Sequence, residues 1–237
     1  MPRRAQPARR RPARPGPRGD SEQTRAAILK AALEEFAQEG LAGARIDHIA
    51  RAARVNKALL YYYFRDKESL YGAALDRVFS ELSAKLIPVL EQPLDPQQKM
   101  LAYAGGHFDF IAASPIYPRL VQREMMRAGR AGSPHIRRLA ERYLRPIQLR
   151  LQELFREGIT AGAFRPVDPN HFIVSVVALN VFYFSSLPML RLLLGGDPLE
   201  PERVAARRAA VLDIVSAALF TTPVAKDATA GSESNGS

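Results

Sequence analysis

The sequence predicts an all-α fold, and three observations carry that expectation. Apolar residues recur at helical spacing almost throughout residues 21–222. No stretch alternates as a half-buried strand would. Near the N-terminus, two short helical segments are joined by a tight turn at Arg54-Val55-Asn56. The first helix is expected over Glu22–Glu39, capped by Asp20 or Ser21 and ended by Gly40 in a left-handed turn. Ile28, Leu29, Ala32, Leu33 and Phe36 form its inward face. The second spans Ile46–Ala53 and turns Ile46, Ile49, Ala50 and Ala53 inward. The third spans Lys57–Phe64 with Asn56 as its cap, and the fourth runs from Lys67 to Leu86, stopping before Pro88. Further helices are predicted over Pro96–Ala113, Pro115–Ala128, Pro134–Thr160, Asp168–Leu194 and Glu200–Thr221. Pro146 should kink the helix that contains it, and Gly162 and Pro166 mark a loop. The total is about nine helices. They divide into an N-terminal three-helix domain over 21–66, carrying the helix-turn-helix, and a larger C-terminal helical domain over 67–222. Residues 1–20 read as a disordered Arg/Pro arm and 223–237 as a disordered polar tail.

Composition narrows the function classes. The chain has 237 residues, 47% of them hydrophobic, enough for one large domain or two modest ones with their own cores. It has no cysteine, so disulfide and thiolate chemistry are excluded, and a cytoplasmic setting fits. The net charge is +10, but residues 1–20 hold seven arginines against Asp20 and carry +6 of it. The basic pI alone therefore does not make the folded body a nucleic-acid binder. The N-terminus has no apolar run after its charges, which argues against a secretory signal. Its interleaved prolines argue against an amphipathic transit helix. The stretch from Phe172 to Leu194 is long and apolar enough to resemble a membrane span. It contains Ser175, Asn180, Ser185, Ser186, Pro188 and Arg191, which favour a helix buried by its own chain and a partner, with no membrane.

The segment Val55-Asn56-Lys57-Ala58-Leu59-Leu60-Tyr61-Tyr62-Tyr63-Phe64 carries the chemistry. In a helix-turn-helix the second helix enters the major groove, and its N-terminal residues meet base edges. Val55 plugs the turn into the core, and Asn56 caps the helix and can reach a phosphate. Lys57 suits guanine O6/N7 or a phosphate, and Ala58 and Leu59 can touch thymine methyls. Leu60, Tyr63 and Phe64 face inward. Tyr61 and Tyr62 direct hydroxyls toward the DNA backbone. Lys67 opens the fourth helix, whose free amides also attract phosphate. A core or interface role explains the tyrosines too, but not the turn before them or the flanking lysines.

These residues resemble the tetracycline-repressor (TetR) family of bacterial transcription regulators. The resemblance runs through Thr24-Arg25, Ile28-Leu29, Ala31-Ala32, Phe36-Ala37, Gly40, Ile46, Ile49-Ala50 and Ala53. It culminates in Val55-Asn56-Lys57, Leu60-Tyr61-Tyr62-Tyr63-Phe64, Lys67-Glu68 and Leu70. Residues 72–221 match it in layout only. There are two departures. Where the family commonly caps its second helix with Thr or Ser, this chain has Ala44 and Arg45, the latter able to bind phosphate but a poor cap. Where the family often has Gly in the turn, this chain has Arg54, at a cost on the order of 1 kcal/mol if the backbone there is left-handed.

The resemblance implies a ligand-responsive repressor that binds a roughly palindromic double-stranded operator as a homodimer, its last two helices forming a four-helix bundle with the partner. Apolar coverage of the eighth helix agrees, being too wide for one face. Phe172, Val176, Leu179 and Phe182, with Leu212, Val215 and Leu219, are the interface candidates. The resemblance also places an unknown small-molecule effector between the fourth and eighth helices, where Phe79, Tyr103, His107, Phe110, Glu124, Met125, Phe155 and Tyr183 lie. His107 and Glu124 are the polar candidates, and the aromatic and methionine content hints at an apolar or amphipathic ligand. Plain core packing accounts for most of these residues equally well. The fourth helix would link ligand to recognition helix. No cofactor or metal is expected: His48, His107, His135 and His171 are scattered, without metal-ligand spacing. Gly105-Gly106 and Gly195-Gly196 lack the strand and lysine of a phosphate loop. The expectation is a regulator rather than an enzyme. A DNA coater working through the basic arm, and an α-helical enzyme, are the alternatives.

Overall fold

The computed structural model describes residues 18–129 and 133–221, and these fall into two compact units divided between Ala74 and Leu75. Among the described residues there is no strand, only an isolated bridge between Phe164 and Phe220. The expected tail over 223–237 and most of the expected arm over 1–20 lie outside the described residues. The arm is corrected at its end, because α1 (Arg18–Gly43) already begins at Arg18.

In the first unit, α1 breaks at Gly40, whose φ of 69° is open to glycine without the clash a Cβ brings. Then come α2 (Ile46–Ala52) and α3 (Lys57–Tyr63). Ile28, Ala32 and Phe36 of α1, Ile49 of α2 and Leu60 of α3 are buried together with Leu70 and Tyr71. The edge of the Tyr71 ring meets Phe36 at 4.9 Å. That packing draws the first turns of α4 (Lys67–Glu91) into the first unit, so the division falls within α4, later than the 66/67 boundary read from sequence.

Arg54, in the turn between α2 and α3, has φ 56°, alone among the described non-glycine residues in being left-handed. Its side chain is exposed, so nothing but backbone geometry resists replacement. Arg54→Gly should relieve strain on the order of 1 kcal/mol, partly offset by the greater freedom of glycine in the unfolded chain. A net gain of roughly 0.5 kcal/mol is expected, read as a higher urea midpoint at unchanged slope.

The second unit holds the rest of α4, then α5 (Pro96–Ala113), α6 (Ile116–Ala128), α7 (Pro134–Leu139), a π-helical turn (Ala140–Leu144), α8 (Arg145–Thr160), α9 (Pro169–Ser185), α10 (Leu187–Leu194) and α11 (Pro201–Leu219). Three predicted boundaries need correction. The fourth helix does not stop before Pro88 but continues to Glu91. Proline removes one amide, and the carbonyl so freed belongs to Ala84, an exposed position where water can serve, while Leu90 remains buried one turn on. The predicted helix over 134–160 is three pieces. The Arg145 amide reaches back five residues to the Ala140 carbonyl, and the extra residue in that turn takes up the disruption ahead of Pro146. The predicted helix over 168–194 is two, bent by 77° at Ser186, since Pro188 cannot continue α9. Among the described residues no single helix is long and apolar enough to cross a membrane, although this bent pair together has the length and composition.

The core of this unit gathers Met100, Tyr103 and Phe108 of α5, Leu151 and Phe155 of α8, Phe184 of α9, and Val215 and Leu219 of α11. Arg208 of α11 donates two hydrogen bonds, at 2.8 and 3.0 Å, to the Asp109 carboxylate of α5, tying the outer edge of that pair. The Phe164 ring lies flat against Gly158, where no Cβ would fit.

Candidate nucleic-acid interface

Asn56 stands at the N-terminus of α3 in extended conformation, and its Oδ1 accepts from the Leu59 amide at 2.7 Å. That bond satisfies one of the amides a helix start leaves open and fixes the entry angle of α3. Leu60 is then wholly buried and Phe64 nearly so. The opposite face, one turn and its neighbours, presents Lys57, Ala58, Tyr61 and Tyr62 to solvent. Tyr62 is 68% exposed, a fraction that excludes a core role for its ring. Tyr63 differs: it is half-buried, donates to Ser21 Oγ at 3.1 Å, and its ring meets the Tyr62 ring edge-on at 5.3 Å. Leu59 is half-buried, less open than the other base-reading candidates, Lys57 and Ala58.

Two cations near this face already hold partners. Lys57 Nζ lies 3.1 Å from Asp47 Oδ1 on α2, with both side chains about half exposed. A pair so open to solvent is worth at most about 1 kcal/mol, so a phosphate or base can displace it cheaply. Lys67 Nζ donates to the carbonyls of Ala42 (3.2 Å) and Ala44 (3.1 Å), closing the end of α1 onto the start of α4. Its side chain is half-buried and serves the fold as well as any ligand. Arg45 is exposed and makes no side-chain cap for α2, as its chemistry predicts.

Two contacts at this interface were not anticipated. Glu35 of α1 accepts from the Arg45 amide at 2.8 Å and sits 3.5 Å from His48 Nδ1, making across space the bond to the N-cap amide that a Glu in the first turn of α2 would make in a capping box. Asp66 and Ser69 start α4 with a reciprocal pair. The Ser69 amide donates to Asp66 Oδ1 at 2.7 Å, and the Asp66 amide donates to Ser69 Oγ at 3.1 Å. The Ser69 amide, and then Arg65, hold the Asp66 carboxyl below its usual pKa. The second was available as a sequence signal, since an acid three residues before a serine is a capping box read backwards. The first, between residues ten apart, had none.

In the second unit, the effector candidates separate. Tyr103 and His107 of α5 are buried with their rings stacked 6.4 Å apart, and Phe79 and Tyr183 are buried as well. Burial pushes His107 down to about 4, so its ring is neutral at pH 7. Tyr183 donates its hydroxyl to the Pro198 carbonyl at 2.7 Å. Phe110 is half-buried against Tyr117, whose hydroxyl donates to Glu81. Phe155 packs instead with Phe164 and Phe172. Glu124 is fully buried and accepts from Arg127 Nε at 2.8 Å and from the Ser133 hydroxyl, closing the α6–α7 corner, so its carboxylate is already engaged. Met125 is 57% exposed and does not belong with the buried set; it falls on the outer side of α6, next to Glu124. Among the described residues no group of three or more His, Asp or Glu is placed to hold a metal.

Comparison with known proteins decides the family. Residues 28–74 match the bacterial regulatory proteins of the tetR family, and residues 96–215 match the tetracyclin repressor-like C-terminal domain. The HTH-type transcriptional repressor SCO4008 of Streptomyces coelicolor is 33% identical over 75% of this chain and 86% of its own. The chain belongs to the TetR family. The HTH-type transcriptional regulator RutR of Escherichia coli K12 is similar at 30% identity, over 71% of this chain and 77% of its own. In structure, the ketosteroid transcriptional regulator KstR2 of Mycobacterium tuberculosis shares the fold, with a TM-score of 0.68 at 20% identity over 84% of this chain and 95% of that one. This TetR-family chain is therefore a helix-turn-helix transcriptional regulator, and α2 and α3 are its DNA-binding motif.

Its interface candidates need sorting by burial. Val176, Val215 and Leu219 are wholly buried in the chain's own core, so they have no surface to give a partner. They pack inward because α9 and α11 flank α5, which takes up one side of each. Phe172, Leu179 and Leu212 are half-buried against the same core. Phe182 is 57% exposed, and Val174 on α9 and Ile214 on α11 are exposed as well. Val174, Ala178 and Phe182 make a solvent-facing stripe at four-residue spacing, and Ala206, Ala210 and Ala217 of α11 are exposed too.

Proposed function

We propose that this chain is a cytoplasmic repressor that binds a palindromic operator as a homodimer and lets go when a small molecule binds its C-terminal unit. The observation that carries the DNA reading is the two-sided α3, with Leu60 locked in the core and Lys57, Ala58, Tyr61 and Tyr62 open on the other face. In this reading Lys57, Ala58 and Leu59 meet base edges, and Tyr61, Tyr62 and Arg45 donate to phosphates. Asn56 and Lys67 hold the ends of α3 and α4 in register while offering donors to the same backbone. Repression follows the name of the relative SCO4008, a transcriptional repressor. The homodimer rests on the solvent-facing stripe of Val174, Ala178 and Phe182 with Ile214, in place of the buried residues first considered. A two-fold pair of recognition helices reads two half-sites one helical turn or more apart, which is why the operator is a palindrome. Ligand control needs an element common to both units, and α4 is that element.

Selection of bound sequences from a random DNA pool at near-physiological salt tests this. A recovered palindrome is the expected result. Repeating the selection on a chain lacking residues 1–20 should weaken binding and flatten its salt dependence while keeping the same palindrome. A preference that disappears with the arm would move sequence reading away from α3 and support a DNA coater.

A further inference from the structure

Asn180 is fully buried in α9, with apolar residues on either side of it in sequence. Its amide nitrogen donates at 3.1 Å to the Ala104 carbonyl and at 3.0 Å to Nδ1 of His107, both on α5. A backbone carbonyl can only accept, so this contact fixes which end of the amide is nitrogen. The two hydrogens of Nδ2 are thereby used, Nδ1 of His107 is an acceptor, and the ring proton sits on Nε2. The Asn180 Oδ1 atom is left pointing elsewhere, buried, and accepts no hydrogen bond from any described residue. An unmet acceptor in a low-dielectric interior costs free energy that a hydrophobic residue of the same shape would not. Tyr103, stacked on His107, and Phe108 adjoin these contacts along α5, and Tyr183 and Phe184 follow Asn180 by three and four residues on α9. His107 is neutral through burial, and the nearby charge is Arg207 of α11, which donates at 2.9 Å to the Leu179 carbonyl and lies 5.6 Å from the Tyr183 ring centre.

We propose that Asn180 Oδ1 is the polar anchor of the effector site, and that the effector is a mainly apolar molecule that donates one hydrogen bond to it. The proposal rests on the effector reading above and names the chemistry that reading left open. His107 acts as a positioning residue, holding the amide so that its oxygen is presented. An apolar ligand of the same shape without a donor would leave the oxygen unmet.

Phenol and toluene are probes of nearly one shape that differ in that donor. Ligand-observed NMR titration on the full chain reads both. Phenol should bind about tenfold more tightly than toluene, the usual worth of one buried hydrogen bond. In Asn180→Leu the phenol advantage should vanish while toluene binds as before, which also shows that the variant is folded. Equal binding of phenol and toluene to the wild type, no binding of either, or a phenol advantage that survives Asn180→Leu, each overturns the proposal. The effector reading fails separately. Phenol that binds through Asn180 without weakening the operator complex at saturation supports the anchor and counts against its role in DNA release.

Discussion

A chain carrying Phe182→Glu and Ile214→Glu is expected to sediment as a monomer at micromolar concentration and to lose its palindromic operator. Both side chains are about half exposed, at 57% and 44%, so neither substitution opens the core of the isolated chain. Two-fold symmetry counts each position twice, and covering four half-exposed side chains contributes roughly 3–6 kcal/mol by apolar area alone. Removing that term weakens the dimer at least about a hundredfold, before any cost of burying carboxylates. Val176→Ala and Val215→Ala, at buried positions on the same helices, should instead lower the melting temperature and leave the dimer intact. Sedimentation equilibrium and melting curves on the double variant and the two alanine variants read both effects. A double variant that stays dimeric would place the interface elsewhere, and the exposed Leu192, Leu193 and Leu194 of α10 would be the next surface to substitute.

Leu60→Ala is expected to cost about 2–5 kcal/mol of stability in the DNA-binding unit and to abolish operator binding. Leu60 is the buried residue of α3, fully enclosed, so its truncation leaves a cavity under the one point that seats the recognition helix. On the other face, Tyr61→Phe or Tyr62→Ala should leave the melting temperature within about a degree and weaken DNA binding instead, as expected of surface positions. The contrast between faces of a seven-residue helix is the sharpest test of the DNA reading. If Tyr61→Phe destabilises the chain while DNA affinity holds, the tyrosines are structural and the face is misassigned.

The helix-turn-helix was legible because it is short, locally capped and one-sided. Asn56, the inward Leu60 and the aromatic run fix its phase within ten residues. The long C-terminal helices were less legible for a physical reason. A helix such as α9 is apolar nearly all round, so its sequence has no polar stripe to mark which apolar side meets its own core and which meets solvent. Val176 and Phe182 therefore looked alike, and only packing against α5 separates them. The break at Ser186 was hidden by the same uniformity, despite Pro188. Among the effector candidates, aromatic identity found the buried Tyr103 and His107 but could not tell them from the exposed Met125. Asn180, set among apolar residues of α9, is a signal of its own, and from sequence alone it reads only as an argument against a membrane span.

The acceptor that Glu35 gives to the Arg45 amide has a consequence for how the motif comes into being. Most helices carry the residue that starts them, so that a fragment retains some memory of its own boundary. Here α2 takes its start from a side chain on α1, and Lys67 on α4 in turn closes over the carbonyls of Ala42 and Ala44. A segment of α2 and α3 cut free would keep the Asn56 cap but lose both of these. Assembly of the motif is thus coupled to its neighbours: α2 is completed only when α1 has formed beside it, which favours an all-or-none transition for the unit over stepwise growth from the turn. Partial forms of the reading head should be correspondingly rare.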